Sequence, residues 1–324
     1  MKRSGCLGAA IVALLLVAAG AIYASSLFGA ATIERESAFV IPAGSTLTSV
    51  ARKLEDEGLI ASANGFLLRA RLLGGSAPVQ AGEFRLTPGM SQGAILEAFQ
   101  RGDVIRRMIT VPEGMPSVMV HERLLAEKLL TGEIAVPPEG SILPDSYDFE
   151  RGESRQAVLA RMQAAMTAYL AEAWKARAPG IAVSSPQEAL VLASVVEKET
   201  GVPGERRMVA GLYSNRLKVR MRLQADPTII YPITQGKPLG RRILRSEIDA
   251  VNAYNTYAMA GLPRGPITNP GRESIAAVLN PAKTRALYMV ADGSGGHAFA
   301  ETLDEHKANV QRWRAIRRER GEIE

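Results

Sequence analysis

The stretch Leu192-Ala-Ser-Val-Val-Glu-Lys-Glu-Thr200 ends an apolar run with two carboxylates, Glu197 and Glu199. A carboxylate buried on a helix is costly unless it is paired or used. Burial raises its pKa, so it can hold a proton near neutral pH, as a general acid for glycoside cleavage must. Helical residues two positions apart point about 200° away from each other, so only one of the two can face a given cleft. Glu199 shares a stripe with Leu192, Val195 and Val196, and Glu197 shares one with Leu190, Ala193 and Ser194. Both stripes are apolar, so burial does not choose between them. The plainer reading, that both carboxylates decorate a solvated helix end, stays open at this point.

Other chemistries find less support. Ser194 and Lys198 stand four apart on one helix face, the spacing of a Ser-Lys nucleophile, but a helical Ser between apolar residues reads more simply as core packing. His121, His297 and His306 have no metal-ligand spacing, and no metal or cofactor is expected. The loop Asp292-Gly-Ser-Gly-Gly-His297 has neither the GxSxG elbow of a Ser hydrolase nor the Lys of a phosphate-binding loop. A two-carboxylate glycosidase would need a partner for the acid, and Asp226 is the candidate.

The elements that must position these residues are signposted locally. Ser185 is a good N-cap, Pro186 suits the first helical position, Glu188 completes a capping box, and Gly201 is a good stop. A helix over about 153–177 precedes this one. Polar and aromatic motifs follow it: Arg222-Leu-Gln-Ala-Asp-Pro-Thr228, Ala253-Tyr-Asn-Thr-Tyr257 and Gly261-Leu-Pro-Arg-Gly-Pro-Ile-Thr-Asn-Pro-Gly271. Amide, hydroxyl and aromatic groups in loops suit a sugar-binding groove.

Upstream, an apolar extended run, a Pro/Gly turn and an amphipathic helix recur three times. The copies start at Phe39-Val-Ile-Pro-Ala-Gly44, Phe84-Arg-Leu-Thr-Pro-Gly89 and Ile109-Thr-Val-Pro-Glu-Gly114. Their helices run through Leu47, Val50, Ala51 and Leu54; through Ile95, Leu96 and Phe99; and through Val118, Leu124, Leu125 and Leu129. These units suit either small glycan-binding modules or a plain scaffold. A Pro/Gly-rich link follows at Val136-Pro-Pro-Glu-Gly140.

The 324 residues, 47% hydrophobic and 22% charged with net charge +6, have the composition of a globular protein. The basic run Arg312 to Arg320 reads as the solvated end of a helix. No aromatic-basic interleaving points to nucleic acid. Lys2 and Arg3 precede the apolar stretch Leu7 to Ala24, which is long enough for a membrane-spanning helix with its N-terminus in the cytoplasm. A cleaved leader is the rival reading, but no clean small-residue site follows the apolar core. Cys6 is the only cysteine, so no disulfide forms within one chain.

Five motifs, in order and spacing, resemble the endolytic murein transglycosylases of the YceG-like, or MltG, family. They are Ala193-Ser-Val-Val-Glu-Lys-Glu-Thr200, Leu223-Gln-Ala-Asp-Pro-Thr228, Tyr254-Asn-Thr-Tyr257, Gly265-Pro-Ile-Thr-Asn-Pro-Gly271 and Tyr288-Met-Val-Ala-Asp-Gly-Ser-Gly-Gly-His297. The resemblance covers about residues 35 to 315. Arg264 departs from it, where the family more often has a second Pro.

The resemblance implies a bacterial inner-membrane enzyme that cleaves the MurNAc-GlcNAc bond of peptidoglycan and leaves 1,6-anhydro ends. It also implies that the catalytic Glu precedes a Ser or Thr, which selects Glu199. Glu197, Gln224, Asp226, Thr228, Tyr254, Asn255, Thr256 and Asn269 become the expected substrate-binding residues.

The expected fold is α+β: residues 1–6 cytoplasmic, 7–28 a transmembrane helix, 35–130 a LysM-like region, 131–155 a linker, and 156–324 a periplasmic catalytic domain. The expected partners are peptidoglycan strands and the membrane, with peptidoglycan synthases as candidates and no nucleic acid. The alternative from another class is a membrane-anchored, non-catalytic peptidoglycan-binding scaffold.

Overall fold

The computed structural model describes residues 13, 14, 17, 18, 20, 31–74 and 77–323. It is a mixed α+β structure whose described strands form two-stranded sheets. The chain divides into two compact units, Met1–Arg107 with Asp148–Gly152, and Met108–Tyr147 with Glu153–Glu324.

In the first unit, β1 (Ser37–Ile41) is followed by α1 (Leu47–Asp56), α2 (Ala63–Leu73), β2 (Gly82–Leu86) and α3 (Gln92–Arg101). The two strands pair antiparallel, with Ser37 opposite Leu86 and Ile41 opposite Gly82. Each helix starts where a hydroxyl can accept an orphan backbone N–H: Thr46 from Ser49, Ser62 from Gly65 and Ser91 from Ala94. Their apolar faces meet at Phe39, Phe66, Phe84 and Phe99, all fully buried. The Phe39 and Phe99 rings stack at 5.5 Å, and Phe84 meets Phe99 edge-on at 4.7 Å. Burial of each such ring stabilises the unit by about 1.5–3 kcal/mol.

The chain passes between the units in β3 (Arg106–Thr110) and β4 (Ser146–Glu150), which pair with each other. The second unit contains α4 (Ser117–Ala126), α5 (Arg155–Lys175), α6 (Pro186–Glu199), a 3-10 turn (Pro203–Glu205), α7 (Arg206–Lys218), α8 (Pro227–Thr234), α9 (Arg245–Ile248) and α10 (Arg272–Leu279). A hairpin of β5 (Tyr288–Ala291) and β6 (His297–Ala300) and the helix α11 (Leu303–Glu319) complete it.

The expectation that α6 is buried all round holds: every residue from Ala189 to Val196 is buried. The cause is its central place, with α5, α7, α8 and α10 packed around it. Ser194 is part of that packing. Its hydroxyl donates to the Val191 carbonyl at 2.7 Å and accepts from the Ile267 N–H at 3.0 Å, while Lys198 reaches out to the Gly114 carbonyl at 3.5 Å. The Ser-Lys pairing is therefore absent. The helix of the third strand-turn-helix copy, α4, lies in the second unit.

One expectation is corrected. A single-pass inner-membrane anchor over 7–28, with a cytoplasmic N-terminus and a periplasmic catalytic domain, is not supported. Among the described residues no helix is long and apolar enough to cross a membrane. Most of 7–28 lies outside the described residues. The expectation rested on the apolar composition of that stretch, on the flanking Lys2 and Arg3 and on the family resemblance.

Candidate active site

The end of α6 is set by its beginning. The Ser185 hydroxyl accepts from the Glu188 N–H at 3.1 Å, and Pro186 occupies the first turn. Glu188 does not close the box on Ser185. Its carboxylate instead accepts from the N–H and hydroxyl of Ser184, both at 2.7 Å. The helix ends at Glu199, and Thr200 turns into extended backbone. This termination leaves Glu199 at the rim of the core, with its carboxyl facing inward.

Glu199 lines a cavity of about 220 Å³. The other walls come from Leu212, Tyr213 and Arg216 on α7, from Gln224 and Asp226, from Tyr257, from Met289, Val290 and Ala291 on β5, and from His297. Oε1 of Glu199 is buried and has no hydrogen-bond partner. Burial and then the nearby Asp226 charge push the Glu199 pKa up to about 8, against the opposing influence of the Tyr213 hydrogen bond and the Arg216 charge. A carboxyl in this setting is protonated at neutral pH.

The surrounding groups explain how a carboxyl is tolerated here. Tyr213 is buried and hydrogen-bonded to Glu199; burial and that neighbouring charge hold its hydroxyl pKa well above the usual phenol value. Arg216 is also buried, which pulls its pKa down. Its guanidinium donates to the carbonyls of Leu287 and Leu223, both at 2.6 Å, so it ties β5 and the 222–226 loop to α7.

Asp226 stands exposed at the cavity mouth, where its Oδ1 accepts from the Tyr257 hydroxyl at 2.6 Å. Burial, followed by that hydrogen bond and the Asp226 charge, raises the Tyr257 pKa. Gln224 beside it has left-handed backbone (φ 51°), which for a non-glycine residue is sparsely populated and sets the loop's sharp course.

Of the residues singled out in the sequence, Glu199, Gln224 and Asp226 share this cavity. Thr228 and Thr256 lie fully buried and join their hydroxyls at 2.9 Å; Thr256 also accepts from the Ala225 N–H at 3.1 Å. They couple the loops that carry Asp226 and Tyr257.

The remaining residues are elsewhere. Glu197 points to the other side of α6, where it accepts from the Gly271 N–H at 2.9 Å and lies 3.9 Å from Arg206. Asn269 is fully buried: its amide donates to the Met115 carbonyl and the Ser117 hydroxyl, and its oxygen accepts from the Ile142 N–H. Asn255 is likewise buried, donating to the Ile248 and Ala250 carbonyls. Tyr254 meets Tyr231 at 4.8 Å. Tyr231 in turn is hydrogen-bonded to Glu139, a carboxyl whose pKa burial raises. Arg264 uses its backbone N–H to reach the Ala253 carbonyl at 2.9 Å, a bond that a Pro there would lack.

Tyr213, Arg216 and His297 were not among the residues expected from the sequence. His297 was visible in the Gly-rich motif. Tyr213 and Arg216 lie three apart, hence on one helix face, but residue type alone does not distinguish them from an ordinary amphipathic helix. Among the described residues, no group of three or more His, Cys, Asp or Glu is placed to hold a metal ion.

Comparison with known proteins gives a consistent result. The YceG-like family pattern matches residues 39–312. A protein of Bacillus subtilis named endolytic murein transglycosylase is 28% identical over 342 residues, covering 94% of this chain and 93% of its own length. A Streptococcus pneumoniae protein of the same name is 27% identical over 320 residues; the match covers 83% of this chain and only 57% of that longer relative. In the crystal structure of a yceG-like protein from Listeria monocytogenes, the similarity extends over 85% of this chain and 99% of that one. The TM-score is 0.55 and the identity 26%.

Proposed function

The chain belongs to the YceG-like family, and from that premise we propose that it is a lytic transglycosylase acting within the glycan strands of peptidoglycan. The observation that carries this reading is a single one: a carboxyl with an unpartnered buried oxygen, its pKa raised to about 8, in the wall of a cavity. The names of the relatives support the substrate class.

Glu199 starts protonated and gives its proton to the glycosidic oxygen between N-acetylmuramic acid and N-acetylglucosamine. The C1–O bond breaks, the N-acetylglucosamine side leaves as an alcohol, and positive charge develops at the muramic acid C1. Asp226, held by Tyr257, places negative charge beside the cavity while that charge exists. The Glu199 carboxylate then takes the proton from the C6 hydroxyl, and O6 closes on C1. The product is a 1,6-anhydro end, and Glu199 is again protonated. No water is consumed, and the same group acts as acid and then base. Glu199 needs the raised pKa for the first step, and Tyr213 and Arg216 stabilise the carboxylate for the second.

Gln224 is placed to hydrogen-bond the glycan at the cavity mouth, while Thr228 and Thr256 act from beneath by holding the loops. The first unit is read as a LysM-like glycan-binding module. The order strand, helix, helix, strand in β1, α1, α2 and β2, with the strands paired, supports this. Peptidoglycan synthases fit as partners, because cleavage within a strand acts on their product.

The deciding experiment is product analysis of purified protein on isolated peptidoglycan. Mass spectrometry should find 1,6-anhydromuramic ends; reducing ends would mean hydrolysis, and intact strands bound without cleavage would favour the scaffold reading.

A further inference from the structure

One part of the cavity wall carries chemistry so far unused. His297 enters it from the first position of β6, and a single carboxylate, Glu205, grips that residue twice. Oε1 of Glu205 accepts from the His297 backbone N–H at 2.7 Å, and Oε2 accepts from ring Nδ1 at 2.8 Å. With the backbone and one ring nitrogen both held, rotation about the side chain is suppressed. Oε2 also accepts from the Thr200 hydroxyl at 3.3 Å. Glu205 therefore connects three elements at once: the residue that follows Glu199, the turn that leads into the Tyr213 helix, and the strand that carries His297.

The approach is close. A Cβ at position 296 would lie 2.5 Å from Oε1 of Glu205, so the glycine before His297 is what admits the carboxylate. The hairpin is closed independently, by Asp292 accepting from the Ser294 N–H and hydroxyl, both at 2.7 Å. Its fold does not need the Glu205 contact to form the turn. A neutral imidazole that donates Nδ1–H to a carboxylate has its lone pair on Nε2.

Resting on the glycan-cleaving reading of this cavity, we propose that His297 contacts the substrate: its Nε2 accepts a hydrogen bond from a sugar hydroxyl or an acetamido N–H of the bound strand. Glu205 is the positioning residue, fixing the tautomer and the ring plane. The division of labour follows from the chemistry of the donors. Glu199 works on the glycosidic oxygen, which has no proton to give, whereas His297 recognises a group that has one. Orientation of the sugar ring toward Glu199 is then set by two points of the cavity wall.

The test uses the purified full chain with isolated peptidoglycan glycan strands, measuring kcat, KM and Tm. His297→Asn keeps an amide N–H for Glu205 and deletes the Nε2 acceptor; it should lower kcat/KM about tenfold at a Tm near the parent's. His297→Gln, whose amide oxygen can reach the Nε2 position but which gives up the Nδ1 bond to Glu205, should recover part of that loss. Glu205→Ala should match the His297→Asn defect in kcat/KM, and combining the two should add little, as for residues that act as a unit. Parental kcat/KM in His297→Asn would overturn the contact, and so would equal losses in the Asn and Gln variants. Additive losses would overturn the positioning role. A parent protein inactive on glycan strands, or one indifferent to Glu199→Gln, would instead count against the glycan-cleaving reading itself.

Discussion

The two sides of the last turn of α6 each hold a glutamate, and they are treated in opposite ways. Glu197 is satisfied: a backbone N–H of the 265–271 loop donates to it, and Arg206 lies nearby. Glu199, two residues on, is compensated less well: burial outweighs the Tyr213 hydrogen bond and the Arg216 charge that favour its ionised form. One of its oxygens is buried without a partner, and the charge of Asp226 disfavours its ionisation. Glu197, with these partners, joins α6 to the 265–271 loop and to α7. A carboxyl whose burial outweighs its partners holds a proton that it can give away. The same contrast extends outward, since Asn269 and Asn255 have their polar atoms consumed by backbone groups.

The comparison breaks first at the glutamates themselves. Glu199→Gln should reduce anhydro-end formation by about a thousandfold or more with the fold retained, whereas Glu197→Gln should stay within about tenfold of the parent and lose thermal stability. The reverse pattern, read by product analysis and circular dichroism on both variants, would exchange their roles.

Next comes the satisfied side. Asn269→Ala strands the Ile142 N–H in a buried region and takes the donor from the Met115 carbonyl, and urea unfolding should register a loss of about 2–3 kcal/mol. The folded fraction should keep its turnover number.

The third prediction concerns pH. With a pKa of about 8, Glu199 is the required acid, so kcat/KM of the parent should fall about tenfold per unit as pH rises above that value. Stability follows the same sign. The folded pKa lies above the ordinary carboxyl value of 4.5, so the folded state holds the extra proton. This contribution is complete below 4.5 and is lost as pH rises through about 8. Glu199→Gln should therefore gain Tm relative to the parent across that window. A constant Tm difference from acid to alkaline pH would show that Glu199 is not protonated in the fold.

Smaller effects sharpen the contrast. Asp226→Asn removes the charge that opposes Glu199 ionisation, and the alkaline limb should move to lower pH by about one unit or less. Arg264→Pro deletes the N–H bond to Ala253 and should cost about 1 kcal/mol in a denaturant titration, with the chemistry unchanged.

Much of the frame around this site was legible in the linear chain. The cap at Ser185, the first-turn Pro186 and the apolar run from Ala189 to Val196 are local instructions, and α6 obeys them. The same holds for the strand-turn-helix copies, where Thr46 and Ser91 cap α1 and α3. Glu188 shows the limit of such reading, because Ser184 offered its carboxylate two donors that Ser185 did not. Thr228, Thr256, Asn255 and Asn269 stood out by type as sugar-binding residues. Folding spends their polar atoms on loop closure, since a buried backbone group must find a partner somewhere.

Taken alone, then, the sequence determined that a buried helix would end in two carboxylates, and its motifs carried the family resemblance that selected Glu199. Helical periodicity supplies that information within a few residues. The environment that makes Glu199 an acid was decided by the tertiary structure. Tyr213 and Arg216 arrive from the next helix, Asp226 and Tyr257 from two loops, and His297 across 92 residues through Glu205. A pKa depends on which charges and dipoles surround a group and on how much water they exclude, and those neighbours exist only once distant segments have packed.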